Sequence, residues 1–188
     1  MYFPHTEPLW VDASRLSLLA PAPTLRTRLT RSGSLTKTII HHCDGGFDVS
    51  VIDQRYLSIY LSERRLLQLP DGASANVRAV LLRCNHQPWV FARTVIPHYA
   101  LRRSLRHLTQ LGNRSLGAVL HASRVMERSQ VEYACLSQPH TLFRQATQGM
   151  KQPPKQLWGR RILYRIEGDP LLVNEIFLPR FTTDRSLR

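Results

Sequence analysis

The sequence predicts an α+β fold organised around an antiparallel sheet. Three observations carry that reading. Residues 76–97 and 160–178 each hold two β-rich runs about a short turn, the sequence form of a hairpin. Between the hairpins, Leu101, Leu105, Leu108 and Leu111 recur at helical spacing, and Gly112 follows where a helix C′ residue belongs. Strands joined by hairpins, with helices gathered before and between them, define the α+β class.

A chain of 188 residues has single-domain length, with 43% hydrophobic and 21% charged residues. That is enough to bury about 70% of the unfolded surface. No apolar run reaches the roughly 18 residues of a membrane span. The start, MYFPHTEPLWVD, has neither the basic n-region nor the apolar h-region of a signal peptide. The expectation is a soluble, cytoplasmic protein with no stable membrane insertion.

The net charge of +13 comes almost wholly from arginine, since the only lysines are Lys37, Lys151 and Lys155. The arginines are scattered, whereas a nucleic-acid binder gathers them into a stripe or cluster. No nucleic-acid partner is expected. A solvated arginine-rich surface and a field that draws in a small dianion both fit the composition. Cys43, Cys84 and Cys135 are odd in number and widely spaced, matching no CxxC metal pattern and no disulfide framework. His41, His42 and Cys43 are neighbours whose side chains diverge on a helix or a strand, so they are not expected to hold one metal ion.

In chain order, residues 1–12 read as an irregular arm pinned by Trp10. Asp12 opens a short helical run over 15–19, stopped by Pro21 and Pro23. A second helical segment covers 24–31, and Ser34 caps a further turn over 35–40. Residues 47–52 alternate as a first strand, with a continuation at 55–60. Residues 62–69 read as a short helix or an irregular segment ending at Pro70-Asp71-Gly72. After the first hairpin comes a helix over 99–111, then the glycine-flanked loop Gly112–Gly117, a segment at 118–122 and a strand over 123–136. Residues 137–156 read as a mobile insertion with one helical turn near 142–146. In the second hairpin, Gly168-Asp169-Pro170 is the turn, and the tail after Pro179 is expected to fray. There is no GxGxxG, Walker loop or Gly-x-Ser-x-Gly elbow.

Alternation places Arg78, Val80 and Leu82 on one face of the first hairpin's leading strand, with Val77, Ala79 and Leu81 on the other. Both faces are apolar, so Arg78 is a guanidinium on a covered face and needs an anionic partner. On the last strand, Glu175 shares a face with Leu171, Val173 and Phe177. The two charges could form a buried structural pair. They could also stand apart with a ligand between them, Arg78 gripping a carboxylate and Glu175 taking a hydroxyl hydrogen bond or a proton. Arg93, among Trp89, Phe91 and Val95, is a second candidate for an anion. Arg160-Arg161 fits a pair at a strand entry on the surface. The Gly112–Gly117 loop is either a plain connection or a set of backbone N–H groups offered to an anion.

Gly33-Ser34-Leu35-Thr36, Val77-Arg78 and Pro88-Trp89-Val90-Phe91-Ala92-Arg93-Thr94-Val95-Ile96-Pro97 resemble the chorismate pyruvate-lyases of ubiquinone biosynthesis. So do Leu111-Gly112 to Leu116-Gly117, Trp158-Gly159-Arg160-Arg161 and Pro170-Leu171-Leu172-Val173-Asn174-Glu175-Ile176-Phe177-Leu178-Pro179, in the family's order from about Leu29 to Pro179. Two positions depart from it: the family carries Glu after the hairpin arginine where this chain has Ala79, and residues 137–156 are longer than in compact members. The resemblance implies a single antiparallel sheet of about six strands with flanking helices. It implies cleavage of chorismate to 4-hydroxybenzoate and pyruvate without metal or organic cofactor. It further implies that Arg78 binds the ring carboxylate, that backbone groups of Leu35 and Leu116 complete the pocket, and that Glu175 meets the ring hydroxyl. Flaps near Leu35 and between the hairpins would seal the site. Arg93 is the expected contact for the side-chain carboxylate, and a membrane-bound prenyltransferase is left open as recipient of the product. The competing expectation is a non-catalytic, sensor-type small-molecule-binding domain of the same fold.

Overall fold

A computed structural model of the chain describes residues 6–117, 119 and 126–184. The first five residues of the expected arm, most of the 118–122 segment, the expected strand start at 123–125 and the last four residues lie outside the described residues.

Six antiparallel strands form one sheet in the order β1-β2-β3-β6-β5-β4. They are β1 (Phe47–Ser58), β2 (Ser74–Cys84), β3 (Gln87–Pro97), β4 (Met126–Ser137), β5 (Gln156–Ile166) and β6 (Asp169–Phe177). The α+β expectation therefore holds, with the six strands that the resemblance implied. The first hairpin turns on Asn85 and His86, both at positive φ (49° and 61°). Two such central residues match the right-handed twist of the strands they join. The expected strand at 47–52 and its continuation are one strand, with a register shift between Val51 and Asp53.

Helices cover one face of this sheet: α1 (Pro23–Thr30) and α2 (Leu35–His42), the latter capped by Ser34, whose Oγ accepts from Lys37 N at 3.2 Å. On the other face lies α3 (Leu61–Leu66). The helix expected over 99–111 is broken into α4 (His98–Leu101) and a 3-10 turn, Arg106–Gln110. Asp169 is the cause: its carboxylate accepts from both N and Oγ of Ser104 (3.3 and 2.8 Å), diverting a backbone donor from the helical ladder. The leucine stripe still does its packing work, since Leu101, Leu105, Leu108 and Leu111 are all buried.

Two segments expected to be loose carry packed helices over part of their length. Residues 137–156 carry α5 (Thr141–Ala146), which buries Leu142, Phe143 and Ala146 against Phe91 and Ile176. The tail forms α6 (Pro179–Thr183), whose Phe181 is buried and stacks on Phe177 at 4.8 Å. Arg28 holds that end by donating to the carbonyls of Phe181 and Thr182 at 2.6 and 3.0 Å. The arm is tied down by a bridge between Val11 and Tyr133 and by Arg161 over the Trp10 ring at 4.6 Å.

One correction concerns the cysteines. Cys43 and Cys84 form a disulfide, with Cα atoms 5.4 Å apart. Register brings them together: Phe47 pairs with Cys84, and the tight turn before Phe47 carries Cys43, the C-cap of α2, back over the end of β2. Cys135 remains a free thiol. Among the described residues no group of His, Cys, Asp and Glu side chains could hold a metal ion, and no helix is long and apolar enough to cross a membrane.

Candidate active site

The pleat sends Arg78, Val80 and Leu82 of β2, Ala92 and Thr94 of β3, Val173 and Glu175 of β6, and Arg160 and Tyr164 of β5 toward the α1–α2 side. There they line one cavity. Ser34, Leu35 and Thr36 from the start of α2 and Ser115, Leu116 and Gly117 from the loop cover it. The two covers meet closely: a Cβ on Gly117 would fall 2.5 Å from Thr36 Oγ1, so the absence of a side chain there lets loop and helix abut.

Arg78 is 3% exposed and forms no ion pair with a carboxylate among the described residues. Its Nη2 donates to the carbonyls of Gly112 and Arg114 at 2.7 and 3.2 Å, while its buried Nε has no hydrogen-bond partner. The Gly112–Gly117 loop thus presents carbonyl acceptors to a guanidinium. Burial alone acts on Arg78 and lowers its pKa from the ordinary arginine value. Arg160 shows the contrast. Burial opposes its charge too, but the neighbouring Glu175 outweighs that and holds the pKa above the ordinary value.

Arg160 is buried, not on the surface as expected. It sits directly across the β5–β6 ladder from Glu175, and its Nε donates to Glu175 Oε2. Its Nη1 donates to the carbonyls of Leu29 and Arg31 at 3.3 and 2.9 Å. Glu175 lines the cavity, and no hydrogen bond to its Oε1 is formed among the described residues. The structure therefore brings together Arg78, Leu35, Leu116 and Glu175, but not as an Arg78–Glu175 pair.

Arg93 is not part of this constellation. It projects from the opposite face of the sheet and is held bidentately by Glu63, Nε to Oε1 at 3.0 Å and Nη2 to Oε2 at 3.1 Å. Asn174 also donates to Glu63 Oε1 at 2.9 Å, and Tyr60 lies under the guanidinium at 4.4 Å. Arg161 belongs to the same far-side row and donates to Glu132. Ala79 pairs with Arg93 across β2–β3, so this departure from the family lies away from the cavity. The expected role of Arg93 as the contact for a second carboxylate is corrected accordingly. Arg160, Tyr164 and Thr94 are among the cavity residues that the sequence reading did not assign to the site.

Fold and site together define an α+β protein with a cation-bearing cavity between its sheet and helices. Comparison with known proteins narrows the class. The family model described as chorismate lyase matches residues 5–186, and the chain belongs to that family. It is 36% identical over 174 residues to "Probable chorismate pyruvate-lyase" of Nitrosospira multiformis, covering 90% of this chain and 97% of the relative. It is 42% identical over 147 residues to the protein of the same name in Methylococcus capsulatus, covering 78% and 90%. Among solved structures, PhnF from Mycobacterium smegmatis superposes with a TM-score of 0.58 at 12% identity, covering 82% of this chain and 67% of that one. That last likeness concerns the fold.

Proposed function

We propose that this enzyme cleaves chorismate to 4-hydroxybenzoate and pyruvate in the Arg78–Glu175 cavity, as the first step towards ubiquinone. One observation carries the reading: one cavity is lined both by Arg78, whose buried Nε has no hydrogen-bond partner among the described residues, and by Glu175, whose Oε2 is held by Arg160. A ring bearing a carboxylate and a hydroxyl would engage both. Arg78 binds the ring carboxylate through Nε, and the backbone of Leu35 and Leu116 closes around it. Glu175 accepts the hydrogen bond of the ring hydroxyl through Oε1.

The reaction asks little covalent chemistry of the protein. The bond between ring carbon and enolpyruvyl oxygen breaks, the hydrogen on the hydroxyl-bearing carbon leaves as a proton, and the ring becomes aromatic. The enolpyruvate takes a proton at its methylene carbon to become pyruvate, so atoms and electrons balance without an oxidant. The chain supplies position, fixed charge and exclusion of water. Helix α2 and the Gly112–Gly117 loop act as the covers. Release of product to a membrane-bound prenyltransferase and a cytoplasmic location belong to the same proposal.

The test is to incubate purified protein with chorismate and to follow both products. Equal amounts of pyruvate and 4-hydroxybenzoate are expected. Intact chorismate beside a folded protein that binds 4-hydroxybenzoate would replace the lyase with the sensor-type domain.

A further inference from the structure

Chorismate carries two carboxylates, and the groups assigned above satisfy one. With Arg93 on the far face and the guanidinium of Arg160 committed to Glu175, Leu29 and Arg31, no second cation of the cavity lining is available for the other. A neutral donor has to serve.

Register shows where it lies. Arg78 and Glu175 stand on β2 and β6, with β3 between them. A ring strung between them has Val80, Leu82 and Ala92 on one flank, all apolar. Thr94 pairs directly with Arg78, and Ser115 belongs to the loop whose carbonyls hold Arg78, so those hydroxyls serve the ring-carboxylate end. Thr36 sits beside Leu35 at the same end. On the β5 flank stands Tyr164, 9% exposed, lining the cavity and without a hydrogen-bond partner among the described residues. Its cross-strand partner is Arg128, whose buried Nε also lacks a partner among the described residues.

Resting on the lyase reading, we propose that the Tyr164 hydroxyl, backed by Arg128, receives the second carboxylate, the one on the enolpyruvyl group that departs as pyruvate. The phenol suits a donor's role. Burial, with Glu175 adding to it, pushes its pKa up to about 12, so it keeps its proton at any working pH. The contact would be made by substrate and lost with pyruvate, so it discriminates chorismate from 4-hydroxybenzoate.

Tyr164→Phe separates the two ligands. It should raise KM for chorismate about ten-fold, as expected for a hydrogen bond to a charged group, and leave the Kd of 4-hydroxybenzoate within about two-fold. Arg128→Gln should raise the same KM by about three-fold with the product Kd again unmoved. An unchanged KM, or equal weakening of both ligands, overturns the assignment while leaving the lyase intact. A wild-type protein that leaves chorismate uncleaved overturns the lyase reading, and this inference with it.

Discussion

Glu175 is held by Arg160 across the β5–β6 ladder, and the same register leaves Arg78 two strands away with its Nε unpartnered. The two buried guanidiniums therefore differ in kind. Arg160 is satisfied and fixes the carboxylate's orientation. Arg78 is desolvated without a counter-charge, an arrangement that costs several kcal/mol until an anion arrives.

Glu175→Gln separates catalysis from structure. Gln keeps an acceptor for Arg160, so urea unfolding should show a loss of only about 1–3 kcal/mol. Chorismate turnover should fall by about 100-fold or more, since the carboxylate charge at the ring hydroxyl is gone. A variant that is destabilised yet turns over normally would make the Arg160–Glu175 pair purely structural.

Arg93→Ala should act in the opposite way. Truncation leaves Glu63, 1% exposed, as an unpaired buried carboxylate, and unfolding should lose about 3–5 kcal/mol. Whatever remains folded should bind 4-hydroxybenzoate with near-normal affinity, measured by calorimetry. A selective loss of ligand binding at intact stability would return Arg93 to the site.

The disulfide joins residues 41 apart in sequence, which in the chain-entropy model is worth about 4 kcal/mol. Reductant should lower Tm by about 10 °C, and Cys43→Ser should show that shift without reductant and none further with it. Because Cys43 caps α2, the helix that brings Leu35 to the cavity, product should also leave faster from the reduced protein. A Tm indifferent to reductant would show the bridge contributes nothing.

Alkaline pH tests the buried phenol. Tyr164 ionises near 12 in the folded chain and near 10 when unfolded, so its folded-state pKa is raised. The stability it contributes is complete below pH 10 and is lost as pH rises toward 12. The difference in unfolding free energy between wild type and Tyr164→Phe should be constant from pH 8 to 9.5 and shift by about 1 kcal/mol by pH 11. A flat difference would place the phenol in water.

How much of this was legible in the sequence depended on register. Parity alone placed Arg78, Val80 and Leu82 on one face, and they do line one cavity. The Arg160–Glu175 pair was hidden by one misplaced turn. Reading Gly168-Asp169-Pro170 as the reversal sets Glu175 opposite Leu163. The chain instead turns on Glu167 and Gly168, both at positive φ, which sets Glu175 opposite Arg160. Arg93 was misassigned because both faces of β3 are buried, so an apolar setting could not say which side held the ligand. Its partner Glu63 lies on α3, a contact no local pattern encodes. The Cys43–Cys84 bridge likewise needs the β1–β2 register, which cysteine spacing does not contain.

The central claim is that Arg78 waits for the carboxylate of an aromatic ring, and the affinity of 4-hydroxybenzoate for wild type and Arg78→Ala tests it most directly. Calorimetry should show the variant folded and its binding weakened by at least roughly 2 kcal/mol, about 30-fold in Kd. An Arg78→Ala protein that binds 4-hydroxybenzoate as tightly as wild type would contradict the account.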